Sequence, residues 1–295
     1  VEAGIAALKA IWHRGAVDAD GKTGDGAGIH VEIPQEFFAD AITSTGDRPS
    51  DGPIAVGQVF LPKTDFVAQE QCRQIIETQI LAFGYGIYGW RQVPIDTSCI
   101  GEKANATRPE IEQILIRNLP GKTEEAFERD LYVIRRRIEK AAIAAQVDLY
   151  ICSLSCRSLI YKGMFLAEHL TEFYPDLLDE RFVSRFAIYH QRYSTNTFPT
   201  WKLAQPFRRL ADNCEINTIS GNINWMKSHE TRLSHPDLDP WMADIKPLVQ
   251  AGGSDTATLD NVFELLTFAG RDAPAAKALM IPASVGGNAA MKPAH

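Results

Sequence analysis

The residues best suited to chemistry are concentrated between Tyr189 and Met226, where amides, hydroxyls and arginines alternate with aromatic rings. Such a polar stretch is poor material for a hydrophobic core or for a linker. An arginine such as Arg192 can form two parallel hydrogen bonds to a carboxylate, and an asparagine such as Asn213 can donate to an oxyanion. The stretch therefore predicts a ligand or catalytic site. A hydrogen-bonded loop network without a ligand is the alternative.

Two other stretches match part of the sequence pattern of phosphate-binding loops. Gly21-Lys22-Thr23 and Gly121-Lys122-Thr123 both end as a P-loop ends, but Ala16 and Ile116 stand where its first glycine is required. We interpret both as chance matches.

Acidic residues at the start of the chain resemble part of a calcium loop, namely Asp18, Asp20 and Asp25. Such a loop ends in a bidentate glutamate at its twelfth position, where this chain has Ile29. The sequence predicts no metal site here or elsewhere.

The five cysteines lack the Cys-x-x-Cys spacing of redox and metal sites: Cys72, Cys99, Cys152, Cys156 and Cys214. An odd number of scattered cysteines indicates reduced thiols and a cytoplasmic protein. We expect Cys152 and Cys156 to be buried apolar residues rather than ligands. Cys214 and His190 could form a nucleophile and a base, but nothing in the intervening residues brings them together, so a supporting role for His190 is favoured.

Composition and charge limit the classes of partner that the chain can attract. The chain has 295 residues, enough for one large domain or two ordinary ones, and 30 basic against 37 acidic residues give a net charge of −7. This charge gives no general attraction to nucleic acid or to anionic membranes, and no run approaches the ~20 apolar residues of a membrane span. Arg135-Arg136-Arg137 is the strongest basic cluster. Its helical setting predicts a solvated helix face rather than a phosphate-binding patch.

The hydrophobic periodicity predicts both helices and strands. Helices are expected over 1–12, 69–83, 123–142 and 258–269, and strands over 29–33, 54–61, 149–161 (two strands) and 185–190. The elements show no regular strand–helix–strand alternation, which favours the α+β class over a doubly wound sheet.

With these residues in view, the chain resembles the glutaminase domain of the large subunit of glutamate synthase, a class II amidotransferase with an N-terminal cysteine nucleophile. The resemblance is carried by several stretches: His13-Arg14-Gly15-Ala16, 23–28, Phe83-Gly84, Arg135-Arg136-Arg137, Tyr161-Lys162-Gly163, 189–201, 213–226 and Gly253-Ser254-Asp255. It implies an αββα sandwich of the N-terminal-nucleophile hydrolase type, incomplete at both termini. It also implies a single domain over 1–295, with a long family-specific insertion at about 62–182.

The resemblance also implies roles for individual residues. Arg192 would pair with the α-carboxylate of glutamine, Thr195 would lie beside it, and Asp255 would hold the α-amino group. Asn213 and the backbone N–H of Cys214 would form the oxyanion hole, and Arg14 would lie near the nucleophile.

The chain departs from the family pattern at both ends and at one loop. The nucleophilic cysteine should precede the helix that begins at Val1, and the strands expected after about Pro282 are missing. The family sequence His-Asn-Gly-Glu-Ile-Asn reads here Asp212-Asn213-Cys214-Glu215-Ile216-Asn217. Asp212 would bring negative charge towards an oxyanion, and Cys214 adds a Cβ where the family has glycine. We therefore expect the chain as given to be inactive.

Further expectations concern the whole enzyme. The resemblance implies that glutamine is hydrolysed to glutamate and ammonia, which a flavin domain would use to convert 2-oxoglutarate into glutamate. FMN and an iron–sulfur cluster would lie in the remaining domains of the large subunit and none in this chain. A small subunit or ferredoxin would supply electrons. The alternatives are a non-catalytic glutamine-binding or interaction module, and an N-terminal-nucleophile hydrolase that acts on a different amide.

Overall fold

A computed structural model describes residues 1–192, 198–212, 216 and 219–281. The strands within these ranges are β1 Thr23–Glu32, β2 Ala55–Leu61, β3 Gly86–Gln92, β4 Glu110–Arg117, β5 Tyr150–Ser155, β6 Ser158–Phe165 and β7 Ala187–His190. The α-helices are α1 Glu2–Ala10, α2 Gln35–Ser44, α3 Phe66–Ala82, α4 Glu102–Ala106, α5 Glu124–Ala145, α6 Leu170–Phe173, α7 Ile219–Glu230, α8 Met242–Ile245, α9 Asp255–Phe268 and α10 Ala273–Met280.

The strands form two antiparallel sheets. One has the order β6-β1-β7 and the other β3-β4-β2-β5. In the three-stranded sheet Ile29 is paired with Tyr161 on one side and with Tyr189 on the other. Because antiparallel sheets are combined with separate helices, the predicted α+β class is confirmed.

Helices cover both sides of the sheets. One hydrophobic cluster joins the two sheets and includes residues of α1, with Leu8, Ile29, Phe60 and Tyr161 as members. A second cluster packs α3 and α5 against the other face of the four-stranded sheet. The helix layers on either side agree with the predicted sandwich.

The longest predicted helix, α5, has the N-terminal cap and the buried apolar stripe that its sequence predicts. The Thr123 hydroxyl accepts a hydrogen bond from the backbone N–H of Ala126, which caps the helix. Its predicted apolar stripe is buried: Phe127, Leu131, Ile134, Ile138 and Ala142. The predicted end of α3 is also confirmed, because Gly84 follows it with a φ of +82°.

The first strand is longer than its sequence predicts. It begins at Thr23 rather than at Ile29, and it includes the glycine-rich stretch that reads as a turn. A Cβ on Gly24 would lie 2.4 Å from the carbonyl oxygen of Phe165, and one on Gly28 would lie 2.6 Å from that of Gln205. These glycines permit close packing of main chains, which is a second reason for glycine besides a turn.

The structure contradicts the predicted solvated face of the basic triplet Arg135-Arg136-Arg137 on α5. Arg135 and Arg136 are buried, with 1% and 4% of their surfaces exposed, so they do not form a solvated face. Arg135 pairs with Glu139 and Glu264, while Arg136 pairs with Glu139 and donates to the carbonyl oxygens of Ile245 and Pro247. A helical period cannot reveal such partners, because most of them lie more than 100 residues away.

Within the described ranges, no helix combines the length and the apolar composition that a bilayer crossing requires.

Candidate functional site

The predicted carboxylate-binding arginine, Arg192, lies two residues after the end of strand β7. The buried Gln191 donates from its side-chain amide to the carbonyl oxygen of Ile11, and this contact fixes the chain directly before Arg192. His190 Nδ1 lies 3.0 Å from the carbonyl oxygen of Arg192. Arg192 itself is exposed, so its guanidinium can be reached from solvent.

The turn that carries Arg14 packs against the same place. It is a short 3-10 helix, Trp12–Arg14, and a Cβ on the following Gly15 would lie 3.4 Å from the side-chain oxygen of Gln191. The turn and Gln191 line a cavity of about 210 Å³. The structure therefore places Arg14 and Arg192 on adjacent segments.

Asp25 is a charged neighbour that the sequence did not assign to this site. Burial raises its pKa, and the positive charge of Arg192 partly offsets that rise. Its backbone N–H donates to the carbonyl oxygen of Ala16, which ties β1 to the turn of Arg14. The available signal was its place in the Thr23–Gly28 stretch, which the resemblance included without giving Asp25 a role.

The segment before the predicted oxyanion donors is held by side-chain contacts. The Gln205 amide donates to the carbonyl oxygen of Asp212 at 2.9 Å, and its oxygen accepts from the Asp212 N–H at 2.8 Å. Burial lowers the pKa of His190, and the hydrogen bond to Arg192 and the charge of Asp212 oppose that shift. His190 is therefore influenced by both the Arg192 segment and the Asp212 segment.

Helix α9 carries the third predicted element of the site. Ser254 caps it by accepting from the Ala257 N–H, and Asp255 lies buried in the first turn. Farther along, the Asp260 carboxylate accepts hydrogen bonds from the backbone N–H groups of Arg208, Arg209 and Leu210. The same helix therefore presents Asp255 and holds the segment that leads to Asp212.

Several predicted site residues lie outside the described residues, namely Thr195, Asn213 and Cys214. Their roles stay predictions, and so does the sharing of one ligand by Arg192 and Asp255. The family-specific stretch 222–226 lies in α7, where Trp225 is 70% exposed and no residue is buried.

Four described cysteines are free thiols and buried: Cys72, Cys99, Cys152 and Cys156. One group of potential metal ligands was not expected, in which Cys99, His169 and Glu172 place ligand atoms within 4.8 Å of one another. Burial raises the pKa of the Cys99 thiol to about 11, which disfavours the thiolate that binds metals. His169 Nδ1 is also already engaged by the carbonyl oxygen of Cys99 at 2.6 Å.

Comparison with known families identifies the class of protein. The model of the class-II glutamine amidotransferases matches residues 1–295. The chain belongs to this family.

Individual relatives are several times longer than this chain. The chain is 67% identical over 283 residues to the glutamate synthase [NADPH] large chain of Azospirillum brasilense, covering 96% of this chain and 19% of that protein. It is 42% identical to the ferredoxin-dependent glutamate synthase of Spinacia oleracea, covering 96% and 18%. It is 41% identical to the glutamate synthase [NADPH] large chain of Bacillus subtilis, covering 95% and 18%. The chain spans about a fifth of the length of these relatives.

Proposed function

We propose that this chain is the glutamine-hydrolysing part of a glutamate synthase large chain. The observation that carries the proposal is the meeting of three segments at one end of the three-stranded sheet. The turn of Arg14 packs on Gln191, Arg192 follows Gln191, and the charge of Asp212 acts on His190, which lies directly before Gln191. These are the segments to which the family resemblance assigns nucleophile environment, carboxylate recognition and oxyanion stabilisation.

The proposed reaction begins with recognition of the two charges of free glutamine. Arg192 would form charge-assisted hydrogen bonds with the α-carboxylate, with Thr195 beside it, and Asp255 would accept from the α-amino group. A cysteine thiolate at the start of the mature enzyme would then attack the side-chain amide carbon. Ammonia would leave, and water would hydrolyse the thioester to release glutamate.

The oxyanion would be stabilised by the residues that follow Asp212 in the sequence. Asn213 and the N–H of residue 214 are the proposed donors, which act most strongly when the negative charge develops in the transition state. Arg14 would add positive charge near the nucleophile. These roles are inferred from the family pattern and from the positions of the neighbouring segments.

The proposal extends to the rest of the enzyme. Ammonia would pass to domains that carry FMN and an iron–sulfur cluster, with a small subunit or ferredoxin as electron donor and the cytoplasm as the compartment. Residues 62–182 would be the family-specific insertion. That region contains α5, whose Arg135 pairs with Glu264 on α9, so the insertion would support the helix that carries Asp255.

A second candidate is a module that binds glutamine without hydrolysing it. It is favoured by the two departures beside Asn213, because Asp212 brings negative charge and Cys214 replaces a glycine. Calorimetric binding of glutamine with no release of ammonia would support this candidate over the enzyme.

The test is a glutaminase assay on the full-length protein with Arg192→Lys. A lysine ammonium cannot reproduce the planar fork, so kcat/KM should fall about 10- to 100-fold, mainly through KM. Arg185→Lys is the matched control, because Arg185 lies near the same strand but is exposed and pairs with Glu32. Equal loss in both variants, or none in either, would contradict the proposed role of Arg192.

A further inference from the structure

Two buried side chains outside the predicted set hold the main chain of residues 205–212, which we call the anchored segment. Gln205 is completely buried at its start. Its amide group forms a reciprocal pair of hydrogen bonds with the backbone of Asp212. The two ends of the segment are thereby fixed to each other, one residue before Asn213.

Asp260, which lies on helix α9 and not in the anchored segment, binds the middle of that segment. Its carboxylate is completely buried and accepts from the N–H of Arg208 at 3.3 Å, of Arg209 at 2.8 Å and of Leu210 at 3.3 Å. Three consecutive backbone donors directed at one carboxylate resemble a helix cap or an anion nest rather than a packing contact. Moving this segment would leave a buried carboxylate with fewer partners, which is costly.

Helix α9 adds a second constraint. Asp255 lies five residues before Asp260, so the proposed amino-group ligand and the anchor of the segment belong to one rigid helix. Glu264, one turn after Asp260, pairs with the buried Arg135 of α5. The helix cannot shift without disturbing that pair.

We propose that Gln205 and Asp260 are positioning residues for glutamine hydrolysis. They hold the anchored segment, which leads in the sequence to the proposed oxyanion donors, against the helix that carries Asp255. This inference rests on the proposed function. Neither residue needs to touch the substrate, since each acts through the backbone that leads to Asn213.

The expected kinetic signature follows from where the oxyanion forms. Oxyanion donors interact more strongly with the transition state than with bound glutamine, so displacing them lowers kcat more than it raises KM. Complete loss of one such donor costs about 10²–10³ in rate. A displaced donor should therefore cost about 10- to 100-fold in kcat.

The experiment uses the full-length protein with Asp260→Asn, which keeps the shape but replaces one of the two accepting oxygens with an NH₂ donor that faces a backbone N–H. We expect kcat to fall about 10- to 100-fold, with KM within about threefold of the parent. Asp176→Asn is the matched control, because it removes the charge of another buried carboxylate, one that binds Arg91 and Tyr161 rather than the anchored segment. Its kcat should stay within about threefold of the parent.

A second variant keeps the inference testable if the first does not fold. Gln205→Met fills a similar volume without either hydrogen bond to Asp212, and it should show the same selective fall in kcat. Hydrogen–deuterium exchange on all variants reports the anchoring itself. Peptides that cover 208–212 should exchange faster in Asp260→Asn and Gln205→Met, while those of strand β2 should be unchanged.

The outcomes separate this inference from the proposed function. A parent protein that does not hydrolyse glutamine refutes the proposed function, and unchanged exchange at 208–212 in both variants refutes the anchoring in any case. With an active parent, the inference is overturned by unchanged kcat in both variants, by a loss confined to KM, or by an equal loss in Asp176→Asn.

Discussion

Two buried polar clusters in this molecule use the same types of side chain but differ in what they hold. The sheet cluster consists of Gln58, Arg91, Gln113, Tyr161 and Asp176. Arg91 forms two hydrogen bonds to Asp176, at 2.6 and 2.7 Å. Tyr161 donates to Asp176 at 2.8 Å and accepts from Gln113, whose amide also donates to Gln58.

The helix cluster consists of Arg135, Arg136, Glu139, Arg208, Asp260 and Glu264. Glu139 pairs with the three arginines, and Arg135 also pairs with Glu264. Burial would raise the pKa of Glu139, but the charges of the three arginines hold it at about 2. Burial and the charge of Glu264 instead raise the pKa of Asp260 to about 6.

The difference between the clusters lies in their connections. The sheet cluster joins β2, β3, β4 and β6 to the segment of Asp176. The helix cluster joins α5 and α9 to the segment that ends at Asp212. Burial and ion pairing alone therefore do not mark a functional residue. The distinguishing feature is a hydrogen bond to a main chain that continues into the proposed site.

The largest effect is expected from Asp176→Ala in the sheet cluster. This change leaves the partly buried guanidinium of Arg91 without its buried carboxylate partner, which should lower the free energy of unfolding by about 3–5 kcal/mol. Urea denaturation measures the loss. Glutamine turnover per folded molecule should stay unchanged, and a specific loss of turnover would show that the sheet cluster also supports the site.

Glu139→Gln in the helix cluster should lower the free energy of unfolding by about 3 kcal/mol at pH 7, because the pKa of Glu139 is held at about 2, well below its ordinary value. A depressed pKa stabilises the fold above pH 4–5, and this contribution is lost as the pH falls towards 2. The difference from the parent should therefore shrink on acidification. A difference that grows towards pH 2 would contradict the charge assignment.

The smallest effect is expected from Tyr161→Phe. It removes one hydroxyl that bridges Gln113 and Asp176 but keeps the ring packing and the ion pair of Arg91 with Asp176. The free energy of unfolding should therefore fall by about 1–2 kcal/mol. Thermal unfolding measures it. A loss as large as that of Asp176→Ala would mean that the hydroxyl, rather than the ion pair, stabilises the sheet cluster.

The chemistry of the proposed site rests on residues that the sequence selects without knowledge of their geometry. Arg14, Arg192 and Asp255 were selected by residue type and family resemblance, and the structure adds that Arg14 and Arg192 lie on adjacent segments. The sequence did not point to Asp25, Gln205 or Asp260 as parts of the proposed site. The charge of Arg192 acts on Asp25, Gln205 bonds to Asp212, and Asp260 bonds to Arg208–Leu210, and no spacing along the chain reveals such relations.

The sequence alone determined the elements whose signals are local. The cap at Thr123 and the apolar stripe of α5, the run of β2 and the glycine after α3 depend on neighbours within a few residues. Strand β4 was not predicted, because Glu112 and Gln113 interrupt its apolar pattern. Only the tertiary structure decided that these side chains could be buried, since Arg73 and Gln58 supply their partners from other elements. Arg135 follows the same rule: a charged residue can enter a core only when a distant chain segment brings the opposite charge.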